Sequence, residues 1–239
     1  MKAKRQILRR SIVALVALMM VTSYAHSAED RRRPGRGGGG LGGIIGDILG
    51  HGHVRNSLQE QNIKRLLEAT ESIVEAAGTR NHYAAEAKLR IASYRIRLVQ
   101  VTLRASRGSR AAEEALEITM LKLNDRYLRL NEKVNIALDC IGVAIGELAS
   151  DMGRQDPVDA AKLALKFTQL IAPCNVFGVV SSVLGQVQNI LYRTHGPGVR
   201  QARDAIDIAI AKANDPYLRP AEKQYFVLDC VGVALRALR

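Results

Sequence analysis

The sequence predicts an all-α protein. A signal peptide and a Gly-rich linker precede two tandem four-helix units, related by an internal duplication of about ninety residues and packed as a helical bundle. Three observations carry this expectation. The 239-residue chain is 47% apolar, enough for a core, yet only 4% aromatic and rich in Ala, Leu, Glu, Arg and Lys, a composition that favours helices over strands. A block of sequence recurs within the chain. Caps and breakers divide the remainder into eight segments of helical length.

The chain opens with Lys2, Lys4, Arg5, Arg9 and Arg10, followed by an apolar run from Ile12 to Val21, with no acidic residue before Glu29. A basic start, a short apolar stretch and a small-residue exit describe a Sec-type signal peptide over residues 1–25. Cleavage fits the small-x-small rule after Ala25 and after Ser27, and the first is preferred. Arg9-Arg10 lacks the flanks of a twin-arginine signal, and the run is short for a membrane span. The expected address is periplasmic or secreted. Removal of the five basic residues lowers the formal charge from +12 to about +7. That charge favours an anionic partner, and export disfavours nucleic acid.

Residues 26–53 form a basic, Gly-rich flexible segment. Arg31, Arg32, Arg33 and Arg36 are candidates for surface docking, and they lead into Gly37 to Gly40. Over residues 41–50, Ile44, Ile45, Ile48 and Leu49 share one face of a short helix, a candidate for peripheral membrane contact. His51-Gly52-His53 has no third ligand nearby and is read as incidental. No metal site or cofactor is expected.

The repeat is the strongest signal. Asn124 to Ala144 aligns without a gap on Asn214 to Ala234, with 13 of 21 positions identical, including Asn-Asp-x-Tyr-Leu-Arg, Glu-Lys and Leu-Asp-Cys-x-Gly-Val-Ala. Unit 1 spans residues 54–149, a joint covers 150–155, and unit 2 spans 156–239. In unit 1, helices are predicted near Arg55–Ala77, Tyr83–Ala105, Arg110–Leu123 and Asn131–Ala149. In unit 2, Asp156 caps a helix with Pro157 at its first position, giving Val158–Ile171, then Val176–Tyr192, Val199–Ala213 and Ala221–Leu238. Short connections make neighbours antiparallel.

The fourth helix of unit 1 is apolar almost all round and should be central. Its remaining stripe holds Asn135, Asp139, Gly142 and Gly146, echoed in unit 2 by Tyr225, Asp229, Gly232 and Arg236. An Asp beside a Gly on a buried helix implies a close polar neighbour. Asp139 and Asp229 are therefore expected to be hydrogen-bonded by Tyr127, Tyr217, Arg129, Arg219 or loop amides. The alternative is a ligand or cation site built from Asp139, Asp229, Cys140, Cys230, Glu132 and Glu222. At the repeated corner, Tyr127 and Tyr217 are expected to pack inward with their Leu neighbours, while Arg129 and Arg219 bond free helix-end carbonyls. The alternative there is an exposed recognition loop. Cys140 and Cys230 stand either as buried thiols or as a staple between the units, and the chain has no C-x-x-C.

No His, nucleophile pattern or phosphate loop accompanies the carboxylates, so no enzyme is expected. The expectation is an exported, non-catalytic helical interaction or structural protein of the bacterial envelope or exterior, docking on an anionic surface or a protein partner. The alternative is a ligand- or cation-binding bundle using the repeated Asp-Cys-x-Gly helix.

Overall fold

A computed structural model describes residues 51–106 and 108–239, with side chains from residue 58. The signal-peptide reading, Arg31, Arg32, Arg33 and Arg36, and the membrane-contact reading of residues 41–50 lie outside the described residues. Among those described, eight α-helices pack together: α1 (His51–Gly78), α2 (His82–Ser106), α3 (Arg110–Leu123), α4 (Leu130–Met152), α5 (Pro157–Ile171), α6 (Phe177–Tyr192), α7 (Val199–Asn214) and α8 (Pro220–Ala237). A single 3-10 turn, Ala172–Cys174, joins α5 to α6. His51-Gly52-His53 opens the first helix instead of lying in a loop.

The boundaries follow from local chemistry. Asn81 Oδ1 accepts hydrogen bonds from the amides of Tyr83 and Ala84 and starts α2. Ser109 Oγ accepts from the Ala112 amide and caps α3. Asp156 accepts from the Asp159 amide, with Pro157 in the first turn of α5. Gly198, at φ 76°, caps α7 in a left-handed conformation that an L side chain rarely adopts.

In the first half, α1 packs on α2, α2 on α3, α3 on α4, and α4 back on α1. In the second, α5 packs on α6, α6 on α7, α7 on α8, and α8 back on α5. The halves meet where α4 lies on α5 and α6, and where α1 lies on α5. The expectation that α4 is central holds: Leu138, Ile141, Ile145 and Leu148 are wholly buried. Close approach depends on its glycines. A Cβ on Gly142 would stand 2.6 Å from Val179 Cγ1, and one on Gly146 only 1.6 Å from Gln186 Oε1. Gly142, Gly146 and Gly153 meet Val179, Gln186 and Ile190 in ascending order, so α4 and α6 run parallel. With every connection short, successive helices alternate in direction, so α4 and α8, entered from the corners at 124–129 and 215–219, run the same way.

The stripe shared by the two fourth helices meets different surroundings. On α4 its lower half is covered by α6. On α8 the nearest atom to a Cβ on Gly232 is Arg236 Nη1 of the same helix, at 3.5 Å. Tyr225, Asp229 and Arg236 there are exposed.

Candidate functional site

The repeated corner is built the same way twice. Asp125 Oδ1 accepts the Tyr127 amide at 2.9 Å, and Asp215 Oδ1 accepts the Tyr217 amide at 2.9 Å. These are Asx turns, in which an aspartate side chain replaces a backbone acceptor. Two residues on, Glu132 reaches back to the Arg129 amide at 3.0 Å, and Glu222 to the Arg219 amide at 2.7 Å, each tying down the entry to the next helix. Glu132 and Glu222 are thus engaged in capping.

This geometry corrects the inward packing expected of the tyrosines. Tyr127 is 97% exposed and Tyr217 is 93% exposed. The Asx turn reverses the chain and leaves Leu128 and Leu218 half-buried, so only one of the two adjacent apolar side chains can face the core. The expected bonding of Arg129 and Arg219 to carbonyls is also absent among the described residues. Both arginines are exposed, and it is their backbone amides that are bonded. The helix-end carbonyl of Ala213 is instead taken by Lys223 Nζ at 3.1 Å. Lys133, at the equivalent position, is buried and lies 3.6 Å from Glu86 of α2.

Asp139 and Asp229 are not sealed in the core as expected. Both are exposed, and the exposed tyrosines and arginines of the corners do not bond them among the described residues. They lie on α4 and α8, which belong to different halves of the packing, and Asp229 contributes nothing to the charge state of Asp139. Crowding of its carboxyl by protein atoms pushes the pKa of Asp139 up to about 6. Water reaches the same residue and restores part of the lost hydration, so the energetic consequence is smaller than that shift alone implies.

The sign is definite. Asp139 binds a proton more readily folded than unfolded, so its contribution to stability falls as pH rises from about 4, the unfolded value, through about 6. Asp139→Asn is expected to stabilise the protein by up to about 1 kcal/mol at neutral pH and to change little at pH about 4. Urea unfolding at the two pH values checks this.

Cys140, Cys174 and Cys230 are all free, so no disulfide staples the halves. Cys140 is buried, and its thiol is pushed up to about 11 by burial first and by the adjacent Asp139 second, with Thr119 and Lys122 offsetting part of the rise. Burial also raises Cys174 and, together with Asp229, Cys230. Such thiols are poor nucleophiles. Among the described residues no three His, Cys, Asp or Glu side chains come together to hold a metal ion. Asp139, Asp229, Glu132 and Glu222 therefore do not assemble into one site.

The sequence reading missed a pattern spread over the whole surface. All six described tyrosines are exposed: Tyr83, Tyr94, Tyr127, Tyr192, Tyr217 and Tyr225, none below 65%. Tyrosine is ordinarily intermediate in burial and is enriched where proteins meet partners. Around the corners, Arg126, Arg129 and Arg219 are exposed and make no ion pair among the described residues, whereas the nearby acids Asp125, Asp215, Glu132 and Glu222 are held by backbone amides. No described helix is long and apolar enough to cross a membrane. Comparison with family models, curated proteins and solved structures gives no match to this chain.

Proposed function

We propose that this chain is an exported, non-catalytic interaction protein: two tandem four-helix units derived by duplication, which dock on an envelope surface or a protein partner. The observation that carries the reading is the pair of corners. Each half presents a nearly fully exposed tyrosine on a turn fixed by an Asx bond and a helix cap, at the entry to its last helix. A rigid, exposed aromatic loses little conformational freedom on binding, which is why Tyr and Arg dominate binding hot spots. The unpaired Arg126, Arg129 and Arg219 beside them favour an anionic partner. Duplication supports two-point attachment, in which the second contact forms at high effective concentration. Residues 26–53, with Arg31, Arg32, Arg33 and Arg36, act in this reading as a basic tether.

The test is photo-crosslinking in the native host, with a benzophenone amino acid at position 127 or 217 of the full chain. The reading expects a discrete adduct in the envelope or external fraction from both positions, with none from position 192, at the C-terminal end of α6. Cytoplasmic fractionation of the protein, or the absence of adducts from both corners, overturns it.

A further inference from the structure

We infer that α2 carries a second docking surface, a narrow apolar seam that receives an amphipathic partner helix whose flank is acidic. The inference rests on the interaction reading above and names the chemistry of one partner.

α2 packs only with α1 and α3 among its principal neighbours. Leu89, Ile96, Val99 and Leu103 face that packing and are buried. On the opposite side Ala87, Ile91, Tyr94, Leu98, Val101 and Ala105 follow one another at spacings of four, three, four, three and four. All six are exposed, with Ile91 at 50%, Tyr94 at 65% and Val101 at 61%. Alternating steps of three and four make the seam of a coiled coil, and two apolar positions in seven is the width that one facing helix covers. A membrane-surface helix carries a broader apolar face.

The two edges of the seam differ. On the edge toward α1 the cations are already matched: Lys88 pairs with Glu75, and Arg95 lies 3.3 Å from Glu68 and bonds its carbonyl at 2.7 Å. On the edge toward α3, Arg104 pairs with Glu113, but Arg90 and Arg97 are exposed and make no ion pair among the described residues. This asymmetry selects the occupant. In any antiparallel pairing with a second copy, the edge of Arg90, Arg97 and Arg104 opposes itself, arginine against arginine. A parallel pairing sets Arg90 and Arg97 against the edge of Lys88 and Arg95. Like charges at these flanking positions disfavour both arrangements, whereas a helix with Glu or Asp on its flank satisfies the two free arginines.

The test uses the full mature chain and two fluorescein-labelled 28-residue helical peptides, with leucine at the seam positions and either glutamate or lysine at the flanks. Fluorescence anisotropy is expected to show saturable binding of the glutamate peptide and at least roughly tenfold weaker binding of the lysine peptide. The double variant Ile91→Glu, Leu98→Glu changes only exposed positions, so its helical circular dichroism and melting temperature should match the parent. It is expected to lose binding by at least about tenfold. Arg90→Glu with Arg97→Glu is expected to reverse the peptide preference. Equal binding of both peptides, no binding, or binding unchanged in the seam variants overturns the inference. It is equally overturned if Ile91→Glu, Leu98→Glu abolishes sedimentation with phosphatidylglycerol vesicles, which assigns the seam to lipid, or abolishes a dimer in sedimentation velocity, which assigns it to a second copy. Corner adducts that persist without any seam binding leave the broader reading standing. Loss of both removes the two together.

Discussion

Phe167→Ala is expected to destabilise the protein by about 3–5 kcal/mol, the range for emptying a fully buried aromatic site. Phe167 on α5 is wholly buried and is among the largest such side chains. Its ring edge lies 3.4 Å from where a Cβ on Gly142 would be, and Val179 of α6 occupies the same cleft. The ring therefore fills the junction at which α4 joins the first half to α5 and α6 of the second. Helices held from three sides cannot collapse far into the void, so the cost should lie toward the upper end. The half-buried Phe226, whose ring has Lys212 Nζ 5.3 Å from its centre, is the control. Phe226→Ala should cost clearly less in the same urea titration. Equal losses from the two variants would mean that the junction is no tighter than the periphery.

The second large effect is expected at Gly198. Its φ of 76° is adopted by Ala at a cost of roughly 1–2 kcal/mol. An added Cβ would also stand 1.8 Å from the carbonyl oxygen of Ala237 and 2.8 Å from its carbon. Both are backbone atoms at the end of α8, so no rotamer change relieves the overlap and α7 must shift away from α8. Overpacking of this kind adds about 1–3 kcal/mol, for a total of about 2–5 kcal/mol. Gly185→Ala, on α6, provides the contrast. Nothing lies within 4 Å of its added Cβ, and replacing a helical Gly by Ala gains up to about 1 kcal/mol. Thermal melts of the two variants should move in opposite directions.

The helical architecture was legible because its signals are local. Asp156-Pro157 starts a helix wherever it occurs in such a context, and Gly78 and Gly153 sit where helices end. The centrality of α4 was legible for a related reason: a helix apolar on nearly every side has no face to offer water. At the corners an aromatic beside a leucine predicts core, and the structure puts the tyrosines outside. The signal that places them outside is present as Asp-x-Tyr, since an aspartate accepting the amide two residues on commits the chain to a surface turn.

The partners of Asp139 could not be read from one helix. Which stripe of α4 is covered depends on where α6 crosses, and α6 belongs to the other half of the chain. The seam of α2 escaped notice for the same reason. Ile91 and Leu98 carry the same apolar pattern as Ile96 and Leu103, and only tertiary packing decides which set is buried.

The proposed interaction role places the work on exposed side chains of a rigid scaffold. Tyrosine nitration read by mass spectrometry, compared between purified protein and protein in its native envelope fraction, tests that claim most directly. In the purified protein all six described tyrosines should react, because none is less than 65% exposed. In the native fraction Tyr94, Tyr127 and Tyr217 should be protected. Tyr192, at the C-terminal end of α6 and with the Arg203 guanidinium 4.8 Å from its ring centre, should keep its reactivity. The same nitration pattern in both preparations would contradict the interaction role, since a surface that meets a partner cannot remain equally open to reagent.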